Sequence, residues 1–267
     1  MSEVLRGGST DEVIAAVEAN WRACVGAFGL APSVAIRDDR EMFWFLTGLP
    51  DPSFNSIMYV NLRPERIDAA VAELRALRAA HGVPMNWLIG PTSRPTDLAE
   101  QLLARGFEHR IDLTPMTRSL VEPLPDVDPV PGFTIERVVD NSALAEWIDT
   151  EIRGFETEGP MADGLAAMRR GMGLWPRLPT QYFLGRLNGE PVATASLLLA
   201  GGIAGIYDVS TVPEARQRGI GAVMTVAALQ EARAEGFEIA FLQPSEMGEP
   251  LYHRLGFRVC CVCSIYG

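Results

Sequence analysis

Four prolines, Pro123, Pro125, Pro129 and Pro131, interrupt the chain near its middle in the stretch VEPLPDVDPVPGF. Proline fixes φ and removes a backbone donor, so this run reads as an extended linker rather than as helix or sheet interior. It divides the 267 residues into 1–122 and 132–267, joined by 123–131. Each part falls within the roughly 50–200 residues of a single domain, so two small domains are expected.

Hydrophobic residues make up 48% and charged residues 21%, enough apolar material for a buried core. The net charge of -11 disfavours nucleic acid or an anionic membrane surface as partner, because both reward basic patches. An anionic ligand would need local help from backbone amides and a few arginines. The N-terminus lacks the cationic start and apolar stretch of a signal peptide. The uncharged run Pro191–Tyr207 is broken by three glycines and falls short of the roughly 20 residues of a spanning helix. It reads as two strands and a turn. The expectation is a cytoplasmic protein with no nucleic-acid or membrane partner, and a homodimer is left open. The cysteines Cys24, Cys260, Cys261 and Cys263 offer no second ligand pair, and His81, His109 and His253 form no cluster, so no metal is expected.

In the first part, Ser9-Thr10-Asp11-Glu12 is a capping-box pattern before an amphipathic helix to about Phe28. Strands are expected at Phe43–Leu46 and Ser56–Leu62. A helix then runs from Pro64 to Gly82, followed by a strand at Met85–Ile89, a helix at Thr96–Arg105 and a strand from Phe107. The second part repeats the order. Phe133–Val138 is a strand; Asn141–Gly154 and about Asp163–Gly171 are helices. Gln181–Leu187 and Val192–Leu199 form a hairpin around Asn188-Gly189. Ile206–Val212 is a strand, Gly219–Glu235 a helix, Glu238–Gln243 a strand, Pro250–Leu255 a short helix and Phe257–Tyr266 the last strand. The fold class is α/β (α+β), with sheets flanked by helices. Leu88–Phe107 echoes Phe241–Phe257: both run strand, Pro and Ser, loop, short helix, Gly-Phe. Together with the matching element order, this points to duplication.

The most informative stretch is YDVSTVPEARQRGIGAVMTVAALQEA, Tyr207–Ala232. A strand leads into Arg216-Gln217-Arg218-Gly219-Ile220-Gly221-Ala222, where a helix begins. The first N–H groups of a helix lack internal partners and carry partial positive charge, so this turn is an anion site. Gly219 and Gly221 let a phosphate approach the backbone, and Arg216 and Arg218 add charge. There is no Gly-Lys-Ser/Thr for a Walker A loop, and Met224 stands where a dinucleotide fingerprint needs its third glycine. A plain glycine-rich helix start is the bland alternative. On the preceding strand, alternation places Ile206, Asp208, Ser210 and Val212 on one face.

Arg-x-x-Gly-x-Gly between strand and helix resembles the acyl-CoA pyrophosphate loop of the GNAT superfamily, with Arg216, Gly219 and Gly221 matching. Tyr252-His253-Arg254-Leu255-Gly256-Phe257 resembles its C-terminal signature. The resemblance covers residues 132–266 well and the first part only by pattern. It implies a tandem protein of two GNAT-like domains, each a mixed, mainly antiparallel sheet with helices. The second would be an N-acetyltransferase using acetyl-CoA and a small-molecule or amino-group acceptor. Its strand at Ile206–Val212 would splay from the next to admit the pantetheine arm, contacted by backbone near Ser210, Thr211 and Val212. Ser245 replaces an Asn usual in that role. Tyr252 would be the general acid to the leaving thiolate, and Asp208 a base or a structural carboxylate. The acceptor would enter by the loop carrying Glu156 and Glu158, with Trp175 and Met172 as an apolar wall; a solvated acidic loop is the alternative. A different acyl-CoA, a non-catalytic acyl-CoA sensor and a nucleotide-binding protein remain as rivals.

The first part lacks the chemistry. Its comparable helix begins Arg63-Pro64-Glu65-Arg66, with no glycine pair and with acidic residues that repel a diphosphate, and Leu102 stands where the second part has Tyr252. It is expected to be a degenerate copy that shapes one side of the acceptor site.

Overall fold

The structure, a computed structural model, describes residues 4–174 and 180–267. Helix α1 (Thr10–Ala27) opens with the expected capping box: Ser9 Oγ accepts from the Glu12 amide at 3.4 Å, and Glu12 Oε2 accepts from the Ser9 amide at 2.8 Å. Strands β1 (Ala35–Asp38), β2 (Phe43–Leu46) and β3 (Asn55–Met58) form an antiparallel meander. Helix α2 (Ile67–His81) buries Ile67, Ala70, Val71 and Leu74 and stops at left-handed Gly82. Then come β4 (Asn86–Ile89), α3 (Leu98–Leu103), β5 (His109–Leu113) and β6 (Met116–Ser119). After the linker follow β7 (Phe133–Arg137), α4 (Asn141–Gly154), α5 (Gly159–Met172), β8 (Thr180–Leu187), β9 (Glu190–Ala200) and β10 (Ile203–Thr211). The chain ends with α6 (Ile220–Ala234), β11 (Ile239–Leu242), α7 (Glu249–Arg254), β12 (Arg258–Val259) and β13 (Cys263–Tyr266).

The strands form two mostly antiparallel sheets. The first has the order β1-β2-β3-β4-β13-β5, the second β12-β6-β11-β10-β9-β8-β7. This departs from the expectation of two domains that each build a sheet from their own strands. The segment Phe257–Tyr266 is two strands, and β13 crosses into the first sheet, antiparallel to β4 and β5. In return β6, from before the linker, lies between β11 and β12 of the second sheet. Local pattern marks a strand, but its pairing partner is a tertiary choice.

Each sheet contains one mainly antiparallel run and one parallel step that ends early. β3 pairs with β4 at Ser56↔Asn86 and Ile57↔Trp87 alone; β10 pairs with β11 at Ala204↔Ala240 and Gly205↔Phe241 alone. Shortly past each step a residue adopts a left-handed backbone, Tyr59 (φ 53) after Ile57 and Asp208 (φ 53) after Gly205. That conformation is uncommon for residues other than glycine.

The halves share a core. Val25, Phe28, Phe43, Phe45 and Met58 from the first half pack with Trp147, Ile148, Leu165, Met168 and Tyr182 from the second. α1 lies between them. Its Asn20, fully buried, donates to the carbonyls of Leu198, Ala200 and Ile203 in β9 and β10. By length and composition alone, Thr10–Leu30 is apolar enough to cross a membrane; in the fold it packs on β9 and β10. The linker is also attached, with Leu124, Val127 and Val130 packed against the core beneath α6.

Candidate active site

The site is built where β10 leaves its neighbours. Beyond Gly205 it has no pairing with β11, so a gap opens between the two strands. Its ladder with β9 shifts between Tyr207 and Ser210, a bulge at Asp208. The bulge overturns the alternation expected from sequence. Ile206 and Val212 pack in the cluster with Ile220 and Met224 of α6. Asp208 and Ser210 instead meet α4 and α5, because the left-handed residue reverses the side from which the chain projects, and Val212 lies past the end of the strand.

Asp208 is held at both oxygens. Arg169 Nη2 donates to Oδ1 at 2.7 Å and Ser196 Oγ to Oδ2 at 2.5 Å, while Thr194 Oγ1 donates to the Asp208 carbonyl at 2.7 Å. Arg169 also binds Glu151, its Nε donating to Oε2 at 3.1 Å and its Nη2 to Oε1. Glu151 is 2% exposed, and burial pushes its carboxyl up to about 7. Sequence reasoning missed Glu151, Arg169 and Ser196. The signal was present: Glu151 follows Trp147 and Ile148 on the apolar face of α4, and Arg169 lies among Leu165, Ala166, Met168 and Met172 on that of α5. A charge on the apolar face of each of two successive helices marks a buried pair.

Downstream, Gln217 (φ 61) and Gly219 (φ 82) turn the chain into α6. Gly219 is its left-handed cap, a conformation costing an L side chain about 1–2 kcal/mol. Among the described residues, none of the amides from Gln217 to Ala222 meets an acceptor; the first to do so is Val223, bonded to Gly219 O at 3.1 Å. Arg218 is exposed and makes no ion pair among the described residues. A cavity of about 660 Å³ lies here, lined by residues 126–131 of the linker with Leu187, Asn188, Arg218, Gly219 and Ala222.

Arg216, expected to add charge to the loop, is engaged by its neighbours. Its Nε donates to Thr211 O at 3.0 Å, its Nη2 to Gly154 O at 2.9 Å, and its Nη1 lies 2.7 Å from Glu156 Oε2. It clamps the loop to the end of α4. Glu156, expected to attract a cationic acceptor, is thereby neutralised, while Glu158 stands exposed before α5. The clamp needs Gly154, since a Cβ there would meet Ser210 Oγ at 2.2 Å. Of the expected backbone contacts, the Val212 amide donates to Val192 O at 2.9 Å and Thr211 O is taken by Arg216. The Ser210 hydroxyl pairs with that of Thr194 at 2.7 Å. Ser245 is likewise engaged locally, its hydroxyl accepting from the Gly248 amide at 3.2 Å. Trp175 lies outside the described residues.

Tyr252 sits on α7, 8% exposed, its ring 5.9 Å from that of Phe257. Burial pushes its phenol up to about 12, so it stays protonated at neutral pH. A Cβ on Gly221 would lie 3.5 Å from Leu251, which places α7 against the first turn of α6. The gap, the unpaired amides and the Tyr252 helix thus adjoin one another. Burial pushes Cys24 up to about 12, and no Cys–His pair occurs among the described residues. No group of His, Cys, Asp and Glu suited to a metal occurs among them either.

A family model described as acetyltransferase (GNAT) domain matches residues 200–260, the segment carrying the β10 bulge, the amide loop and Tyr252. A glucosamine 6-phosphate N-acetyltransferase from Trypanosoma brucei brucei is 31% identical over 134 residues, 87% of its own length and 46% of this chain. The chain belongs to the GNAT acetyltransferases.

Solved structures extend the fold likeness to both halves of this GNAT protein. A GCN5-related N-acetyltransferase from Kribbella flavida superposes with a TM-score of 0.69 at 20% identity, covering 93% of this chain and 95% of that one. A tandem GNAT protein from the clavulanic acid biosynthesis pathway has a TM-score of 0.61 at 14% identity, covering 96% and 93%. A GCN5-related N-acetyltransferase from Sphaerobacter thermophilus has 0.60 at 17%, covering 98% and 93%.

Proposed function

We propose that this chain is an N-acetyltransferase that moves the acetyl group of acetyl-CoA directly onto a primary amine. The catalytic work falls to residues 132–267, and the first half binds no CoA. The carrying observation is the run of acceptor-free amides from Gln217 to Ala222 at the start of α6. Aimed at one place, such amides bind a diphosphate, and Arg218 supplies a free cation beside them. The gap between β10 and β11 is then the channel for the pantetheine arm, with the linker cavity at its outer end.

Tyr252 is the proton donor to the departing sulfur. A phenol near 12 lies above a free thiol, whose pKa is about 8.5. The same desolvation raises a thiolate held beside it, which restores the match. Asp208 receives the proton of the incoming amine. Each of its oxygens carries one hydrogen bond and keeps a lone pair for a second. Direct attack is favoured because Cys24, the thiol facing Asp208, is held protonated by burial.

The test is a thiol-release assay with acetyl-CoA and four amines: glucosamine 6-phosphate, spermidine, tyramine and lysine amide. The first is included because the Trypanosoma relative bears its name. Release above the hydrolysis background with one of them, abolished in Gly219→Glu, is the expected result. Tight CoA binding with no amine consumed would support the sensor reading instead.

A further inference from the structure

Asp208 is held by a buried guanidinium that also binds a second carboxylate. Arg169 is 6% exposed, and its guanidinium carbon lies 5.4 Å from the ring centre of Trp147. A buried guanidinium needs a partner, because removing it from water is costly. Glu151 already provides one through two hydrogen bonds. The third bond, from Nη2 to Asp208, links the two helices to the bulge.

The charges do not cancel. Two carboxylates share one guanidinium, and the other titratable groups facing them are neutral: Cys24 from α1, Tyr182 from β8 and Tyr207 from β10 are all pushed up by burial. No second cation is bonded to either carboxylate among the described residues.

We propose that Arg169 is a positioning residue for acetyl transfer: it fixes the Asp208 carboxylate at the bulge and, by dividing its charge with Glu151, sets how strongly Asp208 takes a proton from the amine. This rests on Asp208 being the base. The proton passes from the amine nitrogen to a free lone pair of Asp208, and the nitrogen keeps the electron pair for attack. When Glu151 is ionised, Arg169 is shared and Asp208 is the stronger base. When Glu151 is protonated, Arg169 acts on Asp208 alone and weakens it. Glu151 is raised to about 7, so this change falls within the working pH range. Turnover therefore rises across that range for a reason separate from the amine's own titration.

The experiment measures kcat/KM between pH 5.5 and 9 for the wild type and Glu151→Gln, with saturating acetyl-CoA and the fastest of the four amines above. The ratio of the two profiles cancels the amine. It should be near one below pH 6 and climb to roughly 3–10-fold above pH 8, with a midpoint near 7, in line with a modest electrostatic coupling. The KM for acetyl-CoA should not move. Arg169→Lys, which keeps the charge but loses the fork, should lower kcat by roughly 10–100-fold at unchanged KM for acetyl-CoA. A flat ratio across pH, or an Arg169→Lys loss that only tracks the folded fraction, would overturn the proposal. Absence of turnover by the wild type with all four amines would instead remove the underlying reading, and this inference with it.

Discussion

The two halves of this protein repeat one framework and differ in one turn of backbone. Both step from an antiparallel meander to a parallel strand through two residue pairs, and both place a left-handed residue shortly after the pairing stops, Tyr59 in the first and Asp208 in the second. The helix that follows begins differently. In the second half it starts at left-handed Gly219 with the amides before it open. In the first half it follows Pro64, which has no amide to offer, and the Arg66 amide is already bonded to Arg63 O at 2.9 Å. Glu65 and Asp68 occupy the first turns. A framework that splays a strand therefore does not by itself present open amides. The helix entry decides that, and it differs while the sheet is kept.

The strongest challenge to this comparison is Gly219→Glu. Backbone strain of about 1–2 kcal/mol and a carboxylate facing the diphosphate should together lower CoA affinity roughly 10³-fold, read by titration calorimetry. Affinity within threefold of wild type would show that the amide loop is not the anion site. Tyr252→Phe should cut turnover by roughly 10–1000-fold with little change in CoA affinity. Its counterpart Leu102 is 0% exposed in the first core, so no equivalent acid exists there. Equilibrium dialysis should saturate at one CoA per chain, and a second site would erase the distinction between the halves. The smallest effect concerns the left-handed residue of the first half, Tyr59. The Tyr59 hydroxyl is buried without a partner, so Tyr59→Phe should raise stability by about 1 kcal/mol in urea unfolding. A loss of stability would mean that the hydroxyl is satisfied in solution.

Much of this was legible from residues alone. Most of the element order, the capping box at Ser9 and the hairpin at Asn188-Gly189 follow from local chemistry, and so does the glycine at the start of α6; β6 and the split of Phe257–Tyr266 into two strands do not. What escaped depended on the third dimension. β1 was missed because Ala35–Asp38 has only two apolar residues and lies at a sheet edge. The faces of β10 were misassigned because a bulge breaks a two-residue period. Arg216 was read as a phosphate ligand because charge and spacing agree, yet its reach to Gly154 O depends on how α4 packs. Glu151 and Arg169 were visible as charges on apolar helix faces, but their meeting with Asp208 was not.

The exchange of β6 and β13 has a consequence for how such a protein can be cut. Removing the last five residues would delete an interior strand of the opposite sheet, stranding the edges of β4 and β5. Ending the chain's first segment before Met116 would likewise separate β11 from β12. Neither half can be discarded or expressed apart without opening a seam in its sibling. Each half is thereby retained as scaffolding, because the other is partly built from it.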